Sequence, residues 1–140
     1  MFIGEYSHTI DEKSRLAIPI KFRAELAKGA VVTKGLDGCL FLYTSIEWQK
    51  LVDKLNNMPI SQKNARAFSR LILAGAMDVG LDKQGRIVLP KYLMDYAKMN
   101  HSVIIAGLFN RLEIWDAKVW QEYKQVTEKE SEILAEQLFI

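Results

Sequence analysis

The feature that most constrains this chain is an internal repeat. Setting Asp11 over Asp82 aligns Asp11-Glu-Lys-Ser-Arg15-Leu-Ala-Ile-Pro19 with Asp82-Lys-Gln-Gly-Arg86-Ile-Val-Leu-Pro90, so that Asp, Arg and Pro coincide and Leu16 and Ile18 fall on Ile87 and Leu89. With one residue gained in the second copy, Gly35 then meets Gly107, Leu40 meets Leu112, Leu42 meets Ile114, Tyr43 meets Trp115 and Trp48 meets Trp120. The 140 residues therefore divide into repeat 1 (5–48), a helical linker (49–75), repeat 2 (76–120) and a C-terminal helix (121–140). A unit of roughly 45 residues is too short to bury a core alone, so the copies are expected to pack as one pseudo-symmetric pair.

Each copy carries the same local signals. A strand (Phe2 to Ile10; Met77 to Leu81) enters the polar Asp-x-x-x-Arg turn, and a second short strand follows with Leu16 and Ile18, or Ile87 and Leu89. Pro19 and Pro90 stand where a short helix can begin, and Gly29 and Asn100 are the expected left-handed stops. A hairpin ends the unit: Ala30 to Lys34 with Cys39 to Tyr43, and Val103 to Ala106 with Leu112 to Trp115, turning at Gly38 and Asn110. The class is mainly β with helices, α+β.

Thr44-x-x-Glu47 is a capping box, and Trp48, Leu51, Val52 and Leu55 continue at helical spacing until Pro59. Ser61 to Leu73 reads as a helix with an apolar face of Ala65, Phe68 and Ile72 and a basic stripe of Lys63, Arg66 and Arg70. Ala117 to Leu138 reads as one long helix with Val119, Tyr123, Val126, Ile133 and Leu134 on one side.

Charge placement matters more than its total. The formal net charge is only +2, and a nucleic-acid binder usually shows a clear basic surplus. Split by segment, residues 60–91 hold six basic and two acidic groups, whereas residues 116–140 hold three and six. An acidic C-terminal helix thus hides a basic surplus on the repeat loops and linker, a distribution that fits a polyanion-binding face. No apolar run approaches the roughly 18 residues of a membrane span, and the first residues lack a signal-peptide layout, so a cytosolic location is expected.

Two readings fit the duplicated loops. Lys13 with Arg15, and Lys83 with Arg86, could enter a DNA groove, where a guanidinium matches guanine O6 and N7 and lysine meets phosphate. The plainer reading is that Asp11 and Arg15 close their turn with an exposed ion pair worth roughly 0 to 1 kcal/mol. Both can hold, because Asp11 and Asp82 could position the arginines. For Lys63, Arg66 and Arg70 a solvated helix face is the simpler account, with phosphate contact the alternative. The matched Trp48 and Trp120 point to core packing. Enzymatic chemistry has little support: His8 aligns with Val79, Cys39 with Arg111, and no zinc spacing or phosphate-binding glycine loop occurs. No metal or other cofactor is expected.

The opening Met1-Phe-Ile-Gly-Glu-Tyr-Ser-His-Thr-Ile-Asp-Glu-Lys-Ser-Arg15, with the second Asp82-x-x-x-Arg86 and Ile-Val-Leu-Pro90, closely resembles the MraZ family of tandem AbrB-like, swapped-hairpin proteins. The resemblance covers the whole chain. It implies two AbrB-like half-units interleaved into a pseudo-symmetric swapped-hairpin β-barrel, and a nucleoid-associated transcriptional regulator of the division and cell-wall gene cluster. It further implies promoter repeats of double-stranded DNA as partner and ring-like homo-oligomers. Carried over by motif, Asp11 and Arg15 fall on the first DNA-binding loop and Asp82 and Arg86 on the second, and the reading of the loops adds Lys13 and Lys83 as DNA-binding residues. Lys13 has no basic counterpart at the aligned Gln84, so the loops need not read DNA identically. The competing expectation is a protein-interaction module, antitoxin-like or a scaffold, without direct DNA readout.

Overall fold

The computed structural model describes residues 1–140. Repeat 1 supplies β1 (Phe2–Thr9), β2 (Arg15–Ala17), α1 (Ile20–Leu26), β3 (Ala30–Lys34) and β4 (Leu40–Thr44), followed by α2 (Ser45–Asn56) and α3 (Lys63–Ser69). A π-helical turn, Arg70–Ala74, leads into repeat 2: β5 (Met77–Val79), β6 (Arg86–Val88), α4 (Lys91–Tyr96), β7 (Ser102–Phe109), β8 (Leu112–Asp116), then α5 (Ala117–Lys129) and α6 (Ser131–Gln137). No helix is long and apolar enough to cross a membrane.

The copies exchange strands. A six-stranded antiparallel sheet runs β1-β7-β8-β4-β3-β5, and β2 pairs with β6 in a separate ribbon. Thus β1 of repeat 1 lies on β7 of repeat 2, and β5 of repeat 2 lies on β3 of repeat 1. A pseudo-two-fold relation follows from the register. Leu40 faces Ile114 and Leu42 faces Leu112, each pair linking non-equivalent members of the aligned set, with Phe41 opposite its own counterpart Glu113 at the centre. Leu16 opposite Ile87 is the matching centre of the ribbon.

Alternation along the strands builds two apolar layers. On one side Val32, Leu40, Leu42, Val103, Ile105, Leu112 and Ile114 join the ribbon's Leu16 and Ile87 and the helix residues Phe22, Leu26 and Leu93 in the main core. On the other side Cys39, Phe41, Tyr43, Ile104 and Trp115 meet Trp48, Leu51, Val119 and Trp120 of α2 and α5. The matched tryptophans are therefore packing residues: Trp48 lies 5.9 Å from Tyr43, and Trp120 lies 5.3 Å from Trp115. Thr44 and Asp116, also matched, cap the two covering helices, Thr44 accepting from the Glu47 amide and Asp116 from those of Lys118 and Val119.

The interleaved α+β pair stands as expected: the six-stranded sheet and the β2–β6 ribbon are bridged between Ile10 and Leu16 and share one core. The structure corrects two expectations. Asn100 is not the left-handed stop of α4; Lys98 takes that conformation (φ 52°), whereas Asn100 gives its amide to the Asp116 carboxylate at 2.9 Å. The expected long C-terminal helix breaks at Glu130 into α5 and α6, and Val126, Ile133 and Leu134 stay exposed instead of packing on the body of the protein.

Leu16 and Ile87 are both fully buried where the copies meet. Leu16→Ala should lower unfolding free energy by about 2–5 kcal/mol, read by chemical denaturation, in a single transition for both repeats. Separate unfolding of the halves would contradict the shared core.

Candidate nucleic-acid interface

The two Asp-x-x-x-Arg segments fold as the same braced turn. Asp11 Oδ1 accepts the amides of Lys13 and Arg15, each at 2.9 Å, and its Oδ2 accepts Arg15 Nε at 2.6 Å. Asp82 repeats the pattern with the amides of Gln84 and Arg86 at 2.9 Å and Arg86 Nε at 2.8 Å. Each turn needs one left-handed residue, Ser14 (φ 60°) in the first and Gly85 (φ 75°) in the second. Both carboxyls are held below the ordinary aspartate range, first by the amide of the arginine four residues on and then by its side chain.

The ribbon joins the loops. The Ile18 amide donates to Gly85 O and the Leu89 amide to Ser14 O, both at 2.9 Å, so each loop's left-handed residue is tied to the strand of the other copy. Arg15 lies opposite Val88 and Ala17 opposite Arg86. Because Leu16 and Ile87 are turned into the core, these four residues share the outer face of the ribbon. The two arginines therefore stand about 7 Å apart along the strand direction, two residues of rise. Each carboxylate takes Nε, and neither arginine gives an Nη hydrogen bond to the protein. Lys13 and Lys83 are exposed on the same loops.

The linker stripe is placed elsewhere. Thr33 Oγ1, on the sheet face opposite Val32 and the ribbon, donates to Ile72 O at 2.6 Å and anchors the π-helical turn there. Arg66 closes its own turn by donating from Nη1 to Ile60 O (3.0 Å) and Ser61 O (3.2 Å), while Lys63 and Arg70 are exposed. The structure brings Asp11, Lys13, Arg15, Asp82, Lys83 and Arg86 together on one ribbon, and it does not bring Lys63, Arg66 and Arg70 to them. One cation that the sequence reading passed over does reach the second loop: Arg23 of α1 donates from Nε to Ile18 O at 2.8 Å, and a Cβ at Gly85 would fall inside its side chain. The sequence signal was Gly85 standing where repeat 1 has Ser14.

The residues weighed for catalysis do other work. Cys39 is fully buried, and burial pushes its thiol far above the ordinary range. Burial, and then the charge of Arg23, lowers the His8 imidazole.

These features define a class: a tandem α+β protein whose two half-units exchange strands and present paired, carboxylate-braced arginines from a shared ribbon. A family model described as MraZ protein, and as antitoxin-like, matches residues 1–71 and again residues 72–139. The chain belongs to the MraZ family. It is 49% identical over 138 residues to the transcriptional regulator MraZ of Caldanaerobacter subterraneus subsp. tengcongensis, covering 99% of this chain and 96% of that relative. The transcriptional regulator MraZ of Herpetosiphon aurantiacus is 50% identical over 136 residues, 97% and 95% of the two chains. That of Clostridium tetani is 45% identical over 140 residues, 95% and 99%.

The lowered carboxyls link the loops to acid stability. An aspartate held below its unfolded value contributes fully above that value, about 3.9, and its contribution fades as pH falls through the lower folded value. In urea titrations from pH 7 downward, the stability advantage of the native chain over Asp11→Asn/Asp82→Asn should therefore persist at neutral pH and shrink below about pH 4. A gap independent of pH would show that the brace does not need the charge.

Proposed function

We propose that this chain is a non-enzymatic transcription regulator that binds promoter repeats of double-stranded DNA through the two braced loops, acting on the division and cell-wall gene cluster. The observation that carries the reading is the ribbon's outer face, where Arg15 and Arg86 are fixed by Nε and keep their Nη donors free. A guanidinium fork so held suits the paired acceptors of a guanine edge, and Lys13 and Lys83 beside it suit phosphates. Asp11 and Asp82 position the arginines and order each turn; they need not touch DNA. The relatives' name, transcriptional regulator, supports the same reading. No cofactor is required, and the site of action is the cytoplasm, on the nucleoid.

One pair of loops touches few base pairs, so the working form is a ring-like homo-oligomer that engages several repeats at once. Two unlike apolar patches support it. Met1, Ile3 and Phe109 are exposed at one end of the β1–β7 pair, and Val126, Ile133 and Leu134 along α5 and α6. Contacts between unlike patches are heterologous, and such contacts close into a ring where the rotation between neighbours closes.

Arg15→Ala or Arg86→Ala should each weaken binding to a duplex of the promoter region by about 1–3 kcal/mol, or 5- to 150-fold, in gel-shift titrations, with relaxed sequence preference. The affinity of the native protein should fall with salt at a log-log slope of about 0.9 per phosphate neutralised. Unchanged DNA binding by the double variant would refute the loops. DNA binding absent from the native protein as well would favour a protein-interaction module, the reading suggested by the family's antitoxin-like description. Phe109→Ser with Val126→Ser should reduce the assembly to smaller species in sedimentation velocity, and should weaken binding to multi-repeat DNA more than to a single repeat.

A further inference from the structure

The two loops are built alike but are not flanked alike. Beside the second lies Arg23, whose one hydrogen bond runs from Nε to Ile18 O at 2.8 Å and which takes part in none of the molecule's ion pairs. Its side chain occupies the volume above Gly85 that a β-carbon there would need. Loop geometry alone does not demand this glycine, since Ser14 holds the same left-handed conformation in the first loop. Gly85 is required because Arg23 crosses it. Nor does packing demand the positive charge. The aligned residue of repeat 2 is Met94, which fills its place against the main core as an uncharged chain of similar length. A half-buried guanidinium with both Nη groups unpaired, laid across a loop that already carries Lys83 and Arg86, is an anion ligand in waiting.

We propose that Arg23 contacts a DNA backbone phosphate beside the second loop, a contact without counterpart at the first. This rests on the loop-mediated DNA binding proposed above and adds a polarity to it. A strictly two-fold ribbon would accept a DNA site in either direction equally well, and here the loops already differ in the placing of Lys13 and Lys83. One extra cation at the Gly85 end adds to that inequality, and the register of the protein on the duplex is set by phosphate contacts of this kind.

The test uses the full chain and a duplex of the promoter region, with affinity measured across a salt series. Arg23→Met, which installs the side chain of the aligned position, should lower the log-log salt slope by about one and weaken binding several-fold. Arg23→Lys, which keeps the charge without the Nε bond, should restore the slope. The reciprocal Met94→Arg should raise it. If Arg86→Ala loses binding while Arg23→Met keeps both slope and affinity, the phosphate contact is wrong and the loop reading stands. If Arg23→Lys fails to restore the slope, Arg23 acts through packing on Gly85, and the proposal is again overturned. If neither Arg86→Ala nor Arg23→Met alters binding, the loop reading itself has failed.

Discussion

Everything else in this molecule depends on the pairing of strands between the two copies. Alone, β2 and β6 are three residues each, too short to persist as an isolated ribbon. Pressed together, they bury Leu16 and Ile87 against the large sheet and project the alternate residues outward. The same exchange lays β1 on β7 and β5 on β3, so neither half keeps a complete sheet of its own. The geometry that aims the arginines and the burial that stabilises the fold are therefore one structural event. The cross-ties from Ile18 to Gly85 O and from Leu89 to Ser14 O extend it into the loops themselves.

Exchange of near-identical halves creates a problem at the pseudo-axis, where a residue must face its own counterpart. The ribbon meets it with Leu16 against Ile87, two apolar side chains that can interdigitate. In the sheet the pair is Phe41 and Glu113, and the repeat has diverged around it. Arg111, aligned with Cys39, donates from Nε and Nη2 to Glu113 Oε2 at 3.1 and 2.9 Å, while Trp115 Nε1 donates to Oε1 at 3.1 Å. The Arg111 guanidinium also lies 4.7 Å from the centre of the Phe41 ring. A buried carboxylate left without these partners would be costly. With them, the centre holds an asymmetric network that two interchangeable halves could not both form. Duplication within one chain, in contrast to dimerisation of one half-unit, is what permits it.

How much was legible in the sequence follows from how local each signal is. The Asp-x-x-x-Arg turns are complete within five residues, so their braces could be anticipated from spacing, as could the cap at Thr44 and the packing of Trp48 and Trp120. The stop at Lys98 was misread because Asn100 is by type the better left-handed residue, yet its amide is claimed by Asp116, sixteen residues away. The break at Glu130 was missed because the apolar spacing of α5 continues through it, although those side chains meet solvent. The linker stripe could not be assigned a side of the molecule at all. Its position opposite the ribbon comes from Thr33 seizing a carbonyl of the π-helical turn. Arg23 left only an indirect trace for the same reason, Gly85 in place of Ser14, since that neighbour lies in the other repeat.

If the loops bind DNA as proposed, the acidic residue within each looks at first like a fault, since a carboxylate near phosphates is repelled by them. Its hydrogen bonds resolve the difficulty. Each aspartate spends Oδ1 on two amides and Oδ2 on the arginine Nε, so its charge is neutralised locally and its depressed pKa keeps it ionised for that purpose. A free arginine carries about 2 kcal/mol of rotamer entropy, much of it lost when it docks. Here the turn already restrains the side chain, and on the proposed reading the more exposed Lys13 and Lys83 are left to meet phosphates. On that reading the loops separate two tasks that bulk charge cannot: a fixed fork for reading and exposed cations for attraction. A DNA-binding chain with a net charge of only +2 would depend on that division, because its average field gives little steering and its selectivity would come from where a few donors are held.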